Sequence, residues 1–304
     1  MSAAAITMLK MVLMMLVGFV CAKLKVTGPE FNKYASSLMA NVLLSATILK
    51  SIISLETTVS NGTLFYVFAL YFIMMGIAYV LAKIMSKLLP ATEGDRAVLL
   101  CLAMYMNVAF IGFPLVDAVY GPGEASFYAC LSAMPFNMLM YSAGVISLRG
   151  KSAEKIGFKF LLNAPLIATL IGVVVFLAKI SVPELLSDTI STLAGATVPI
   201  SMIILGTSLG NISFKAAFDD WRIYVFCAVR LIICPIVVFY ALSLFVVNEM
   251  LVGVITILSA TPSAVVLTPL SIQYDKNEHL CSKGVFISTV LSAVTLPLII
   301  GLLL

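Results

Sequence analysis

The chain has 304 residues, of which 62% are hydrophobic and only 11% charged, with a formal net charge of +4 and a mean hydropathy of +1.14. A soluble domain carries about 45–50% apolar and about 25% charged residues, so a water-soluble fold is excluded. The basic surplus sits in short loops, where membrane orientation explains it and a nucleic-acid partner does not. At about 20 apolar residues per spanning helix, the sequence holds about ten spans and no separate catalytic domain.

In chain order, apolar runs bounded by charges, glycines and prolines predict helices over 4–23, 34–55, 63–88, 95–120, 124–148, 157–180, 185–210, 220–246, 249–273 and 280–303. The first lacks the charged leader of a signal peptide and is interrupted by Lys10, so it reads as a span. The second, with Asn41, Ser45 and Lys50, is the most polar, and a broken or tilted helix is expected there. If the N-terminus lies outside, the inside loops collect the Lys and Arg residues of 23–33, 83–96, 149–159, 215–222 and 276–283, and the outside loops only Lys50 and Lys179. That asymmetry sets orientation. It places both termini outside a multi-pass protein of the inner (plasma) membrane.

The cysteines, Cys21, Cys101, Cys130, Cys227, Cys234 and Cys281, form no CxxC pair, and His279 is the one histidine. No metal site, disulfide framework or cofactor is expected. The chain also offers no cluster of His, Cys and carboxylates with which a membrane enzyme would work.

Asn107–Leu115 lies over Pro262–Leu270 at a constant offset, and each segment runs on to a tyrosine, Tyr120 or Tyr274. Five spans precede the second half, so residues 1–150 and 151–304 would insert in opposite directions as a 5+5 inverted repeat, the arrangement common in secondary transporters. Proline removes a helix donor and clashes with the preceding turn. Gly112 with Pro114, and Pro262 with Pro269, are therefore expected to break the fourth and ninth helices. In lipid such segments survive only when packed in protein or lining a wet cavity, which puts a ligand site near the midplane.

Asn163-Ala-Pro165-Leu-Ile-Ala-Thr-Leu-Ile-Gly172, Ala196-Thr-Val-Pro199-Ile, Leu205-Gly206-Thr-Ser-Leu209 and the string from Pro262 through Tyr274 to Gly284-Val285 follow, in order, the pattern of one family. Over nearly its whole length the chain resembles the auxin efflux carriers, in the short bacterial form without the long central loop. The resemblance implies an all-α membrane fold similar to bile-acid and sodium/proton carriers, with broken helices 4 and 9 crossing. It implies a transport domain of helices 3–5 and 8–10, moving against a homodimeric scaffold of helices 1, 2, 6 and 7. The substrates it implies are carboxylates: malate, malonate or indole-3-acetate. Two positions depart from the pattern: Met106 stands where the crossover proline is usual, and the proline usual in the second span is replaced near Ser45.

The expected substrate-binding residues are Asn107 with Met106 at one break, and Thr261, Pro262 and Ser263 at the other, where an amide, hydroxyls and backbone N–H groups suit a carboxylate. Asn137, after Pro135, is a further candidate, as are Asn41 and Ser45 from the second span. Interhelical hydrogen bonding alone would also account for such residues. Arg230, well inside the eighth span, either snorkels to the surface or serves as an anion partner. No Asp or Glu lies deep in a span, so no residue suggests itself as the carrier of a coupling proton; proton and sodium coupling both stay open. The expected function is transport of small organic anions by alternating access; an anion channel or a ligand-binding receptor without transport are the rivals.

Overall fold

A computed structural model describes residues 3–53, 61–121, 124–149, 164–211 and 218–304. Asn163, the basic residues Lys151, Lys155, Lys159 and Lys215, and the junction between the two expected halves lie outside the described residues. The side chain of Cys130 does too.

The protein is almost wholly helical. Helix α1 is Ala3–Lys23, and α2 covers 29–53 as Pro29–Leu38, a π turn Met39–Leu43 and Leu44–Ile53. The second helix is therefore not broken: its polar stretch around Asn41 is absorbed by the π turn, and the chain stays helical through it. Helix α3 is Asn61–Leu88. Helix α4 comes in two halves, α4a Glu93–Met104 and α4b, the latter a π turn Val108–Gly112 continuing into Phe113–Tyr120. Helix α5 is Glu124–Leu139, a π turn Met140–Gly144 and Val145–Arg149; α6 is Ala164–Leu177; α7 is Glu184–Gly195 followed by Thr197–Gly210. Helix α8 joins Trp221–Ala228, a π turn Val229–Ile233 and Cys234–Ser243. Helix α9 is again divided, α9a Glu249–Ala260 and α9b Leu267–Gln273, and α10 is Glu278–Leu303.

Among the described residues, Phe65–Leu88, Glu184–Gly210, Trp221–Ser243 and Glu278–Leu303 are long and apolar enough to cross a membrane, and Val12–Lys23 and Glu249–Ala260 are shorter apolar helices. Helix α10 displays the pattern: Val294, Leu298 and Leu302, four residues apart, face outward, whereas Val285, Ser288, Ser292, Leu296 and Ile299 are buried. An apolar outer stripe combined with small hydroxyl residues inward suits a helix between lipid and protein. Helix starts are marked by side-chain caps: Thr92 accepts from the Asp95 N–H, Asp220 from Arg222, Asn248 from Leu251 and Asn277 from Leu280. These residue types satisfy donors that the first turn leaves free.

Two packing groups stand out. Helix α1 lies along the second half of α7, and α2 lies against α6 and the first half of α7. The α1–α7 contact is backbone on backbone: a Cβ on Gly206 would sit 2.0 Å from the Met15 carbonyl oxygen, one on Gly18 2.3 Å from that of Ile203, and one on Gly210 2.6 Å from the Ala22 Cβ. Gly206 and Gly210 form a GxxxG pair, which lets two helices approach closely in lipid. Hydroxyl and amide pairs, Thr27–Thr207 at 3.0 Å, Asn32 to Ser208 at 2.9 Å and Thr47–Thr197 at 2.7 Å, extend the same interfaces. In the other group, α3 packs on α4a and α5, α8 on α9a, and α10 on α9b and α4a.

A charged cluster ties the starts of α4a, α8 and α10. Arg222 holds Asp220 at 2.6 Å and Asp95 at 3.4 Å, Asn277 donates to Asp95 at 2.8 Å, and Lys283 meets Asp219 at 3.1 Å. The Arg222 hydrogen bond holds the Asp220 carboxyl below its usual range. A carboxyl depressed on folding stabilises fully above its unfolded pKa, about 3.9, and that contribution is lost as pH falls through the lower folded value. Thermal unfolding in detergent should therefore show a shallow loss of stability in that acidic window. Asp220→Asn, which keeps the cap, should flatten it; an unchanged pH profile would rule the pair out as a contributor.

Candidate functional site

The interruptions of α4 and α9 have different local causes. Helix α9a ends at Ala260 because Thr261 precedes Pro262, and the residue before a proline is driven from helical to extended geometry; Thr261 is at φ −65°, ψ 153°. Helix α4a ends at Met104 with no proline to force it, yet Tyr105 is extended at φ −97°, ψ 119°. What holds it is the other break. Met106 pairs with Ser263 as an antiparallel bridge, the Asn107 N–H donates to the Pro262 carbonyl at 2.8 Å, and the Ala264 N–H donates to the Tyr105 carbonyl at 3.0 Å. Backbone groups freed in a membrane interior cost several kcal/mol each if left unpaired, and here the two segments satisfy one another.

The surrounding side chains complete the satisfaction of the breaks. The Ser263 hydroxyl donates to the Leu102 carbonyl at 2.8 Å, and the Ser263 N–H donates to the Ser288 hydroxyl of α10 at 3.3 Å. The Thr261 hydroxyl turns back to the Leu258 carbonyl at 2.8 Å. Tyr105 lays its ring against Gly144, where a Cβ would come within 2.9 Å of it, stacks edge-on with Phe136 and donates to the Leu139 carbonyl at 3.1 Å. Of the helix-breaking residues read from the sequence, Pro262 stands at the break itself and the other three fall on the downstream side. Gly112 lies in the π turn that opens α4b, Pro114 follows it, and Pro269 is in the first turn of α9b, where a missing N–H costs little.

The candidate residues divide by environment. Asn107, Thr261 and Ser263 are buried around the paired breaks, with Met106 wholly enclosed. Among the described residues the Asn107 amide nitrogen has no hydrogen-bond partner, an exception among these otherwise satisfied groups. Asn137 is buried on α5, the helix packed against the start of α4b and against α9a. Asn41 is exposed on α2 and bonds the Ser37 carbonyl at 2.9 Å, and the half-buried Ser45 bonds the Asn41 carbonyl at 3.0 Å, so these two are engaged along their own helix. Helix α2 nevertheless lies against α9b.

Arg230 does not snorkel. It is completely buried, and its guanidinium donates to the Ser259 carbonyl at 2.6 Å and the Thr261 carbonyl at 2.8 Å. Tyr105 and Ser288 were not singled out by the sequence; both act through backbone groups of the breaks, which leave no residue pattern. A separate cavity of about 410 Å³, lined by Tyr120, Phe239, Ser243, Glu249, Met250 and neighbours, lies at helix ends and contains none of the candidate residues. Among the described residues no cluster of His, Cys, Asp or Glu could hold a metal ion.

The sequence profile of the family described as membrane transport protein matches residues 3–157 and 151–300. The chain is 28% identical over 301 residues, 96% of both proteins, to an uncharacterized transporter of Methanothermobacter thermautotrophicus. It is 25% identical over 295 residues, 94% of both, to an uncharacterized transporter of Methanocaldococcus jannaschii.

Proposed function

The chain belongs to the membrane transport protein family, that of the auxin efflux carriers, and from that premise we propose that it is a secondary transporter of small organic anions working by alternating access. The observation that carries the reading is the Asn107 amide, buried and without a partner among the described residues where two interrupted helices meet. A buried donor without an acceptor is costly, and a carboxylate oxygen is the acceptor it suits. The α4b start beside it adds backbone N–H groups and a positive helix end. Asn137 is the second polar contact, and Asn41 and Ser45 face the ligand from the scaffold side.

In this reading the ten helices are spans, α4 and α9 cross at their breaks as the centres of two inverted five-helix halves, and both termini face outside. Helices α1, α2, α6 and α7 form the scaffold and the homodimer contact, and α3–α5 with α8–α10 form the moving body. The GxxxG contact of α1 with α7 and the packing of α2 on α6 and α7 support a firm scaffold. Moving one negative charge inward against about 100 mV, inside negative, costs about 2.3 kcal/mol, and a dicarboxylate about 4.6. Concentrative uptake therefore requires a coupled ion, whereas efflux or exchange does not.

The test is flux of labelled malate, malonate and indole-3-acetate in proteoliposomes, with pH, sodium and voltage gradients imposed one at a time. Saturable flux of at least one carboxylate is expected, with no single-channel current. Folded protein that moves none of them would remove the substrate class, and unitary currents would replace a carrier with a pore.

A further inference from the structure

Helix α9a ends inside the protein, and a helix C-terminus leaves its last carbonyls unpaired and carries the negative end of the dipole. In broken-helix carriers, unwound carbonyls and half-helix C-termini are the groups that coordinate a coupling cation. Here those groups are taken. The Ser259 and Thr261 carbonyls receive the two terminal nitrogens of Arg230 at 2.6 and 2.8 Å, from a side chain with no exposure at all.

No carboxylate among the described residues pairs with this positive charge. Among the described residues the ion pairs lie at the helix starts, around Arg222, Lys283 and His279, and none includes Arg230. Its Nε and the nearby Tyr71 hydroxyl have no hydrogen-bond partner among the described residues, and the neutral Cys234 thiol is the other side chain at the guanidinium. A buried arginine normally requires a carboxylate; this one is held by backbone dipoles. The matching end of α4a is treated differently. Its Leu102 and Tyr105 carbonyls receive a neutral hydroxyl and a neutral amide, from Ser263 and Ala264. The charge is thus placed on one of two similar ends, on the carbonyl of Thr261, the residue before Pro262, whose own carbonyl receives the Asn107 backbone N–H.

We propose that the Arg230 guanidinium is a resident cation: it fills the carbonyl end of α9a, where a free coupling cation would otherwise be held, and itself supplies the positive charge that the anion meets at the breaks. Arg230 is a positioning residue in this role, acting through the α9a end and its field, with both terminal nitrogens spent on carbonyls. Arginine suits the position because it stays charged and its planar fork serves two acceptors at once. The part of the proposal that concerns transport rests on the carrier reading above; occupation of the α9a end does not.

The experiment uses the full chain in detergent, followed by melting temperature, with sodium chloride exchanged for choline chloride at constant ionic strength and guanidinium chloride added at low millimolar concentration. Wild type should show no sodium-specific shift and no response to guanidinium. Arg230→Ala should melt roughly 5–10 °C lower, the scale of losing two charge-assisted hydrogen bonds, and guanidinium or sodium should restore part of that loss. If Arg230→Ala is not recovered from the membrane, Arg230→Lys, which keeps the charge, carries the same comparison and should stay indifferent to sodium. A saturable sodium shift in wild type or in Arg230→Lys, or an Arg230→Ala protein of unchanged melting temperature or unresponsive to both cations, overturns the proposal. Proteoliposomes of the same wild type, tested for malate flux with and without a sodium gradient, separate the two readings. Sodium-dependent flux defeats the resident cation, whereas absence of all flux with the melting results as expected defeats only the carrier.

Discussion

Asn107→Ala should separate transport from stability. The amide nitrogen of Asn107 is buried with no partner among the described residues, and an unsatisfied buried polar group costs about 1–3 kcal/mol. Its removal should leave the melting temperature unchanged or slightly higher, since the backbone N–H that bonds the Pro262 carbonyl is retained in alanine. Carboxylate flux at low substrate should fall by roughly 10- to 150-fold, the equivalent of about 1.5–3 kcal/mol for a hydrogen bond to a charged group. Both readings come from one preparation, melting in detergent and flux in proteoliposomes. A variant that melts earlier and transports normally would show that Asn107 is a structural residue and would return the ligand to another part of the molecule.

The second large effect is expected far from the breaks, at the α1–α7 contact. Gly206→Leu places a branched side chain where even a Cβ lies 2.0 Å from the Met15 carbonyl oxygen and 2.8 Å from the Phe19 nitrogen. Both obstacles are main chain, so no rotamer change relieves them. Overpacking of a flexible core costs about 1–3 kcal/mol, and a backbone contact has less room to relax. The variant should fail to elute as a monodisperse peak, and Gly206→Ala should melt several degrees lower. Gly76→Ala on α3 is the control, because nothing lies within 4 Å of its added carbon; replacing a helical glycine there should be neutral or stabilising by up to about 1 kcal/mol. Equal behaviour of the Gly206 and Gly76 alanine variants would show that the close approach does not hold these helices together.

The helices were legible because apolar runs bounded by charge and glycine are a strong signal in a membrane chain. The runs read over 95–120 and 249–273 correspond to α4a, which begins two residues earlier, with α4b, and to α9a with α9b, and the prolines of the ninth run pointed to its interruption. Less visible was what holds the fourth helix open. Composition pointed to Gly112 and Pro114 and the family resemblance to Met106 and Asn107, while the break at Tyr105 to Asn107 depends on hydrogen bonds from a segment more than 150 residues away, and no local composition encodes that. Arg230 is a related case. Its position inside a span was plain, but its partners are carbonyl oxygens, which every residue possesses. The π turns likewise lack a residue signature; the second helix read as broken or tilted around Asn41 because polar residues are the trace that such a turn left in the sequence. Gly206 was noticed as part of a family string, although its purpose, contact with the α1 backbone, appears only when the two helices are side by side.

The π turn of α5 has a consequence for how such a chain can change over generations. A π turn holds one residue more than the α turn it replaces, so Met140–Gly144 is open to repair by deletion of a single codon. Such a deletion would close the segment to an ordinary α turn and leave the helix on either side in nearly the same rotational register, because the residue removed is the surplus one. The change would fall between the Leu139 carbonyl that accepts the Tyr105 hydroxyl and the Gly144 hollow that receives its ring, and would alter the spacing that lets one tyrosine use both. Relatives with one residue fewer in this helix should therefore carry a different residue at the position of Tyr105, and the two changes should be inherited together.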